Sequence, residues 1–153
     1  MDCPPVAAPA DGSPAPVGSI AAVGTFQPGI ELWNLDVLDA MEPMAVLGGV
    51  TKTRGRGRRK MKLAKDSHKD SVMGLSWNRA FRNMLASSSA DNTVKLWDVT
   101  TQACLHTFTH HTDKVQCVKW NPVTSKILLT GSFDKTAAVV DAMSVRLLFY
   151  VCS

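Results

Sequence analysis

The chain holds no apolar run approaching the roughly 20 residues that a membrane-spanning helix needs. Its C-terminal stretch Leu147-Leu148-Phe149-Tyr150-Val151 is far shorter, so no membrane partner is expected. No basic opening precedes the first apolar residues, Asp2 is acidic, and Pro and Gly break up the N-terminal stretch, so no secretory signal is expected either. Paired C-x-x-C spacing is absent among Cys3, Cys104, Cys117 and Cys152, which read as reduced thiols of an intracellular protein rather than a disulfide framework. A strained G-x-S-x-G elbow, the mark of one large hydrolase class, is missing. Aromatic residues make up only 7% of the chain, and none stands inside its most basic stretch, which leaves base stacking there unsupported. With 45% hydrophobic and 20% charged residues, the class that remains is a soluble globular chain able to bury a core.

What the chain does have is a repeat. Leu85-Ala86-Ser87-Ser88-Ser89 and Thr93-Val94-Lys95-Leu96-Trp97-Asp98 read as two strands of a hairpin, joined through Asp91 and Asn92, which tolerate left-handed backbone angles. In the second strand Val94 and Leu96 alternate with Thr93 and Lys95, the period of a half-buried strand. A constant offset of 43 residues pairs His68 with His111, Asp70 with Asp113, Val72 with Val115 and Trp77 with Trp120. The same offset pairs Asn78 with Asn121, Ser89 with Ser132, Asp91 with Asp134 and Asp98 with Asp141, with no gap. A weaker copy lies 64 residues before Ser88, in Gly24-Thr25, Ile30, Leu32 and Trp33-Asn34.

Division of the chain rests on this pattern. Residues 1–19, rich in Pro, Ala and Gly, have almost no large apolar side chain to offset the entropy of ordering them and are expected to be disordered. Residues 20–47 form the partial repeat, 48–67 a basic Gly/Arg/Lys-rich insert, 68–109 a full repeat and 110–151 a second with a divergent end. Strands are expected at residues 21–23, 30–33, 44–47, 72–77, 84–88, 93–98, 103–109, 115–120, 127–130, 136–141 and 146–151.

The insert carries Lys52, Arg54, Arg56, Arg58, Arg59, Lys60, Lys62 and Lys65, uninterrupted by any acid. These account for almost half of the 17 basic residues, so the net charge of +4 comes from one loop and not from a basic domain surface. Alternating Gly and Arg in Arg54-Gly55-Arg56-Gly57-Arg58 keeps the backbone flexible while Arg forks reach for phosphate, and Arg58-Arg59-Lys60-Met61-Lys62 fits a nuclear import signal. Three readings stand: an import or nucleolar-retention signal, a direct nucleic-acid contact, and a merely solvated loop.

A unit of 40–45 residues that opens near a His and closes on Trp-Asp resembles the WD-repeat family of four-stranded β-propeller blades. The resemblance implies an all-β fold of about two and a half blades, too few for the roughly 4–8 of a closed ring. It also implies a buried structural hydrogen-bond set at His68, Ser87, Asp91 and Trp97. In the second repeat His111, Thr130 and Asp134 hold the equivalent places, but Val140 replaces Trp and the indole donor is lost.

Gly24-Thr25, Ile30-Glu31-Leu32-Trp33-Asn34-Leu35-Asp36, the basic insert, Leu75-Ser76-Trp77-Asn78, Ala90-Asp91-Asn92-Thr93-Val94 and His111-Thr112-Asp113-Lys114-Val115-Gln116 are similar to a nucleolar branch of that family. This resemblance covers about residues 20–141 and suggests a truncated form. It implies a non-enzymatic scaffold of the nucleus and nucleolus, associated with chromatin and with ribosomal RNA transcription or ribosome biogenesis. Expected partners are proteins of nuclear, nucleolar or chromatin assemblies, with a weak RNA contact and no small-molecule substrate or cofactor. Two other functions compete: direct RNA binding through the Gly-Arg loop, and a generic adaptor of another complex.

Chemistry-bearing alternatives are weaker. His68, Ser87 and Asp91 are the residue types of a catalytic triad, yet the same types recur one repeat later, which a structural set explains and a catalytic one does not. Cys104, His106, His110, His111 and Cys117 crowd into a window that suggests zinc, but the repeat already accounts for His111 and Cys117. No catalytic residue and no metal ligand are therefore assigned.

Overall fold

The computed structural model describes residues 19–55 and 58–152, with 51–61 and 152 described by their backbone alone. The segment read as a disordered tail lies outside the described residues apart from Ser19. Among the described residues the structure is all β, with no helix. A three-stranded sheet comprises β1 (Ile20–Gly24), β2 (Gly29–Asn34) and β3 (Ala45–Gly48). A separate ribbon pairs β4 (Val50–Gly55) with β5 (Arg58–Leu63). Two four-stranded sheets complete the chain, β6 (Val72–Trp77), β7 (Met84–Ser89), β8 (Val94–Asp98) and β9 (Ala103–Phe108), then β10 (Val115–Trp120), β11 (Ile127–Ser132), β12 (Thr136–Asp141) and β13 (Arg146–Cys152). Each sheet is an antiparallel meander, and together they do not close into a ring.

The 43-residue period in sequence reappears as register. Val72 pairs with Ser89 and Trp77 with Leu85, while Val115 pairs with Ser132 and Trp120 with Leu128, and both ladders carry a bulge just after their first pair. At the tip of the β7–β8 hairpin Asn92 adopts φ 66°, the left-handed angle that its short polar side chain tolerates. Lys135 takes φ 64° at the equivalent tip.

Neither face of a single sheet is buried by the sheet itself, so the core lies between sheets. Ile20, Ile30, Leu32 and Leu47 of the first sheet pack on Val72, Leu85 and Trp97 of the second. Met84, Ala86, Val94, Leu96 and Phe108 on its other side meet Val115, Val118, Trp120, Leu128 and Val140 of the third. Both interfaces bury side chains almost completely, with Leu96, Ile30, Leu32, Leu47 and Leu128 at 0% exposure.

The basic insert is a paired ribbon where the sequence suggested a flexible loop. Gly48 (φ 69°) and Gly49 (φ 81°) turn the chain out of the first sheet, and a side chain at Gly48 would press on Ser67 and on the Trp97 ring. Val50 opposite Leu63 and Ala64 N–H bonded to the Gly49 carbonyl at 2.9 Å close the base of the ribbon. Thr51 and Thr53 supply β-branched residues, which favour an extended backbone. The charge count hid this pairing.

On the third sheet, β13 leaves Leu147, Leu148, Phe149, Tyr150 and Val151 each at least 45% exposed, and it forms an edge of the described sheet. An exposed apolar edge strand is a template for pairing with another chain. The isolated chain is therefore expected to self-associate at micromolar concentration. Light scattering coupled to size exclusion checks this, and a monodisperse monomer with a sharp thermal transition is the contrary result.

Candidate functional site

His68 lies just before β6, Ser87 in the middle of β7, Asp91 in the following turn and Trp97 on β8, and the blade brings all four together in its interior. Trp97 Nε1–H donates to Ser87 Oγ at 2.8 Å. Ser87 Oγ lies 2.7 Å from His68 Nε2, and His68 Nδ1 lies 3.2 Å from Asp91 Oδ2. With Nδ1–H donating to the carboxylate, Nε2 accepts from the serine hydroxyl, which in turn accepts from the indole; the chain of donors runs one way. Asp91 is held further by Lys69 N–H (2.8 Å), Thr93 N–H (3.0 Å) and Thr93 Oγ1 (2.5 Å). Burial alone would raise its pKa, but the hydrogen bonds from His68, Thr93 and Lys69 outweigh that and hold the carboxyl well below the usual carboxylate range.

The third sheet repeats this geometry with one exchange. His111 Nδ1 stands 3.0 Å from Asp134 Oδ2, and His111 Nε2 stands 2.9 Å from Thr130 Oγ1. Asp134 accepts from Thr112 N–H and Thr136 N–H and makes a short bond with Thr136 Oγ1. Although it is desolvated, these bonds and that of His111 also hold it below the usual carboxylate range.

The indole lost at Val140 has a substitute. His110 Nε2 reaches Thr130 Oγ1 at 3.1 Å, with its ring centroid 4.3 Å from that of His111 and the two planes tilted by 49°. Burial, reinforced by the neighbouring His111, lowers the His110 pKa to about 4 despite the opposing pull of Asp134, so the ring is neutral at pH 7. Sequence reasoning missed this residue because the repeat aligns it with Ser67, a position without a place in the network; the His110-His111 pair was the available signal. Thr93 and Thr136 were missed likewise, being read only as strand residues.

These shifts set two acid windows. An unfolded His110 takes up a proton as pH falls through about 6.5, whereas the folded ring does not until about 4, so stability declines across that interval. Asp91 and Asp134, depressed below the ordinary value of 3.8, contribute stability above that value and lose it only at lower pH. Thermal midpoints measured between pH 7 and pH 4.5 are thus expected to fall in the parent, and to fall less in His110→Asn. Equal pH slopes would contradict this.

Both Ser87 and His68 are 0% exposed, and each is fully engaged by its neighbours, which leaves no approach for a substrate. The cysteines and histidines of the suspected zinc window do not converge. Cys104 Sγ reaches the His106 carbonyl, Cys117 Sγ faces the Gly131 carbonyl at 3.9 Å, and His110 and His111 turn to Thr130. Among the described residues no three His, Cys, Asp or Glu are grouped to hold a metal.

Of the basic set, Lys52 and Arg54 lie on β4, Arg58, Arg59, Lys60 and Lys62 on β5, and Lys65 in the turn beyond, while Arg56 lies outside the described residues. The register sets Lys52 opposite Met61 and Arg54 opposite Arg59, with Lys62 opposite Thr51, Lys60 opposite Thr53 and Arg58 opposite Gly55.

A family model described as the anaphase-promoting complex subunit 4 WD40 domain matches residues 45–123. The chain is 48% identical over 93 residues to an uncharacterized WD repeat-containing protein of Schizosaccharomyces pombe, covering 60% of this chain and 18% of that protein. Identity is 44% over 82 residues to the periodic tryptophan protein 1 homolog of Drosophila melanogaster, covering 54% and 17%. It is 41% over 49 residues to the ribosome biogenesis protein WDR12 homolog of Chlamydomonas reinhardtii, covering 32% and 11%. The chain thus spans less than a fifth of the length of these relatives. Among solved structures, a chain from the crystal structure of a mitotic checkpoint complex superposes with a TM-score of 0.67 at 25% identity, over 86% of this chain and 36% of that one.

Proposed function

From the premise that the chain belongs to the WD40-repeat family, we propose that it is a non-enzymatic scaffold of ribosome biogenesis, working in the nucleus and nucleolus. The observation that carries this is the kinship with relatives named for periodic tryptophan repeats and for ribosome biogenesis, in a chain whose triad-like residues are sealed into the blade. Stacked sheets present rigid edges and loops to other proteins, and stacking is what the buried His, Ser, Asp and Trp serve. Association with chromatin and with ribosomal RNA transcription belongs to the same reading. The basic ribbon supplies the nuclear address and a weak anionic anchor, since its cations stand in a segment that the repeat does not use.

Sedimentation of the tagged chain through a gradient of nuclear extract tests the proposal. It is expected to travel with precursor ribosomal particles; recovery only at the top of the gradient contradicts it. A direct RNA-binding protein would instead show a steep salt slope on naked RNA, set by the number of phosphates its ribbon contacts.

A further inference from the structure

The inner strands of the two complete repeats meet at the end of the sheets opposite to the histidine networks. Trp120 joins them, its backbone N–H donating to Ser76 Oγ at 3.0 Å and its indole Nε1–H to the Ser76 carbonyl at 3.1 Å. The loops beyond are fastened by Asn78, whose Nδ2–H donates to the Ser125 carbonyl at 2.7 Å while its Oδ1 accepts from Ala80 N–H and Phe81 N–H. Beside this frame lies an open cleft of about 210 Å³ whose walls include Trp77, Arg79, Lys119 and Trp120. The Trp77 indole N–H is engaged by the Arg82 carbonyl at 2.6 Å, so its ring offers the cleft carbon surface.

Arg79 and Lys119 are exposed, and no carboxylate lines the cleft. Among the described residues neither cation has a carboxylate within ion-pair distance. Their charges stand apart from the ribbon, on the part of the chain where acids outnumber bases.

We propose that this cleft docks an acidic side chain, Glu or Asp, carried by an acidic segment of a partner protein. The Arg79 fork matches a carboxylate in two parallel bonds, Lys119 adds a point charge, and the indole walls cover the methylenes behind the carboxylate. A volume near 210 Å³ holds one side chain, not a nucleotide with its neighbours. Two cations also fall short of the several phosphate contacts on which nucleic-acid binding rests. The proposal shares the scaffold reading's supposition of a protein partner, but its test needs no cellular assembly and can fail or succeed independently.

The test uses the full chain and a fluorescent Glu-rich peptide, with a Gln-rich peptide and a single-stranded uridine oligonucleotide beside it. Anisotropy is expected to report binding of the Glu peptide alone at this cleft, weakened about tenfold or more in Arg79→Glu/Lys119→Glu. The milder Arg79→Gln/Lys119→Gln pair lowers affinity in the same direction and guards against misfolding, which equal urea midpoints would exclude. Replacing the ribbon cations with Ser leaves this peptide affinity unchanged while removing oligonucleotide retention. No peptide binding by the parent, peptide affinity untouched by both cleft variants, or loss of peptide binding only with the ribbon would each overturn the assignment. So would a cleft variant that loses the oligonucleotide instead.

Discussion

A fluorescent fusion too large for passive nuclear entry is expected to lose its nuclear accumulation entirely when Arg54, Arg56, Arg58, Arg59, Lys60 and Lys62 are replaced by Ser. All of these but Arg56, which lies outside the described residues, belong to one hairpin, and that hairpin is joined to the blades through Gly48-Gly49 and Ala64. None of them stands at a position of the repeat, so the sheets are expected to persist through the change. Removing them leaves a chain in which acids outnumber bases, and attraction to the phosphates of nucleic acid goes with the address. Any retention on RNA should disappear in the same variant, with a shallower dependence on salt. Circular dichroism of the variant verifies that the sheets persist; accumulation that survives the six changes would place the address elsewhere in the chain.

The second large effect concerns stability. His68→Ala removes the acceptor of the Ser87 hydroxyl and a donor to Asp91. Asp91→Ala strands the Lys69 and Thr93 N–H groups and leaves His68 Nδ1 with Thr93 Oγ1 at 3.2 Å as its remaining partner. Each is expected to destabilise the central blade by about 1–3 kcal/mol, the cost of leaving buried polar groups unpaired. Trp97→Phe keeps much of the ring packed on Ile30, Leu32 and Leu47 but deletes the indole donor, and so should cost less than Asp91→Ala. Urea unfolding followed by tryptophan fluorescence measures all three, and a neutral result at both His68 and Asp91 would contradict a stabilising network.

Much of the fold was legible because a repeat states its own register. One offset of 43 residues placed the strands of both complete sheets, and the structure pairs them with matching bulges after Val72 and Val115. Alternation in Val94-Lys95-Leu96 marked a strand, but it did not disclose that Lys95 is itself buried, with its ammonium on Thr107. The basic ribbon was illegible because its cation-rich strands have no apolar alternation to announce pairing beyond Val50 opposite Leu63 at its base. His110 escaped for a different reason. A repeat alignment asks which residue stands at Trp97, finds Val140, and cannot see that a donor arrives from another strand's approach to the same oxygen. The Arg79–Lys119 cleft escaped too, since its two cations are 40 positions apart and meet only once the sheets stack.

Affinity purification of the tagged chain from cells, run in parallel with and without nuclease, tests the scaffold account most directly. The account predicts that ribosome-biogenesis proteins co-purify in both preparations, because protein surfaces hold the assembly and the ribbon only adds an anionic contact. Loss of those proteins on nuclease treatment, or their absence from both preparations, would contradict it.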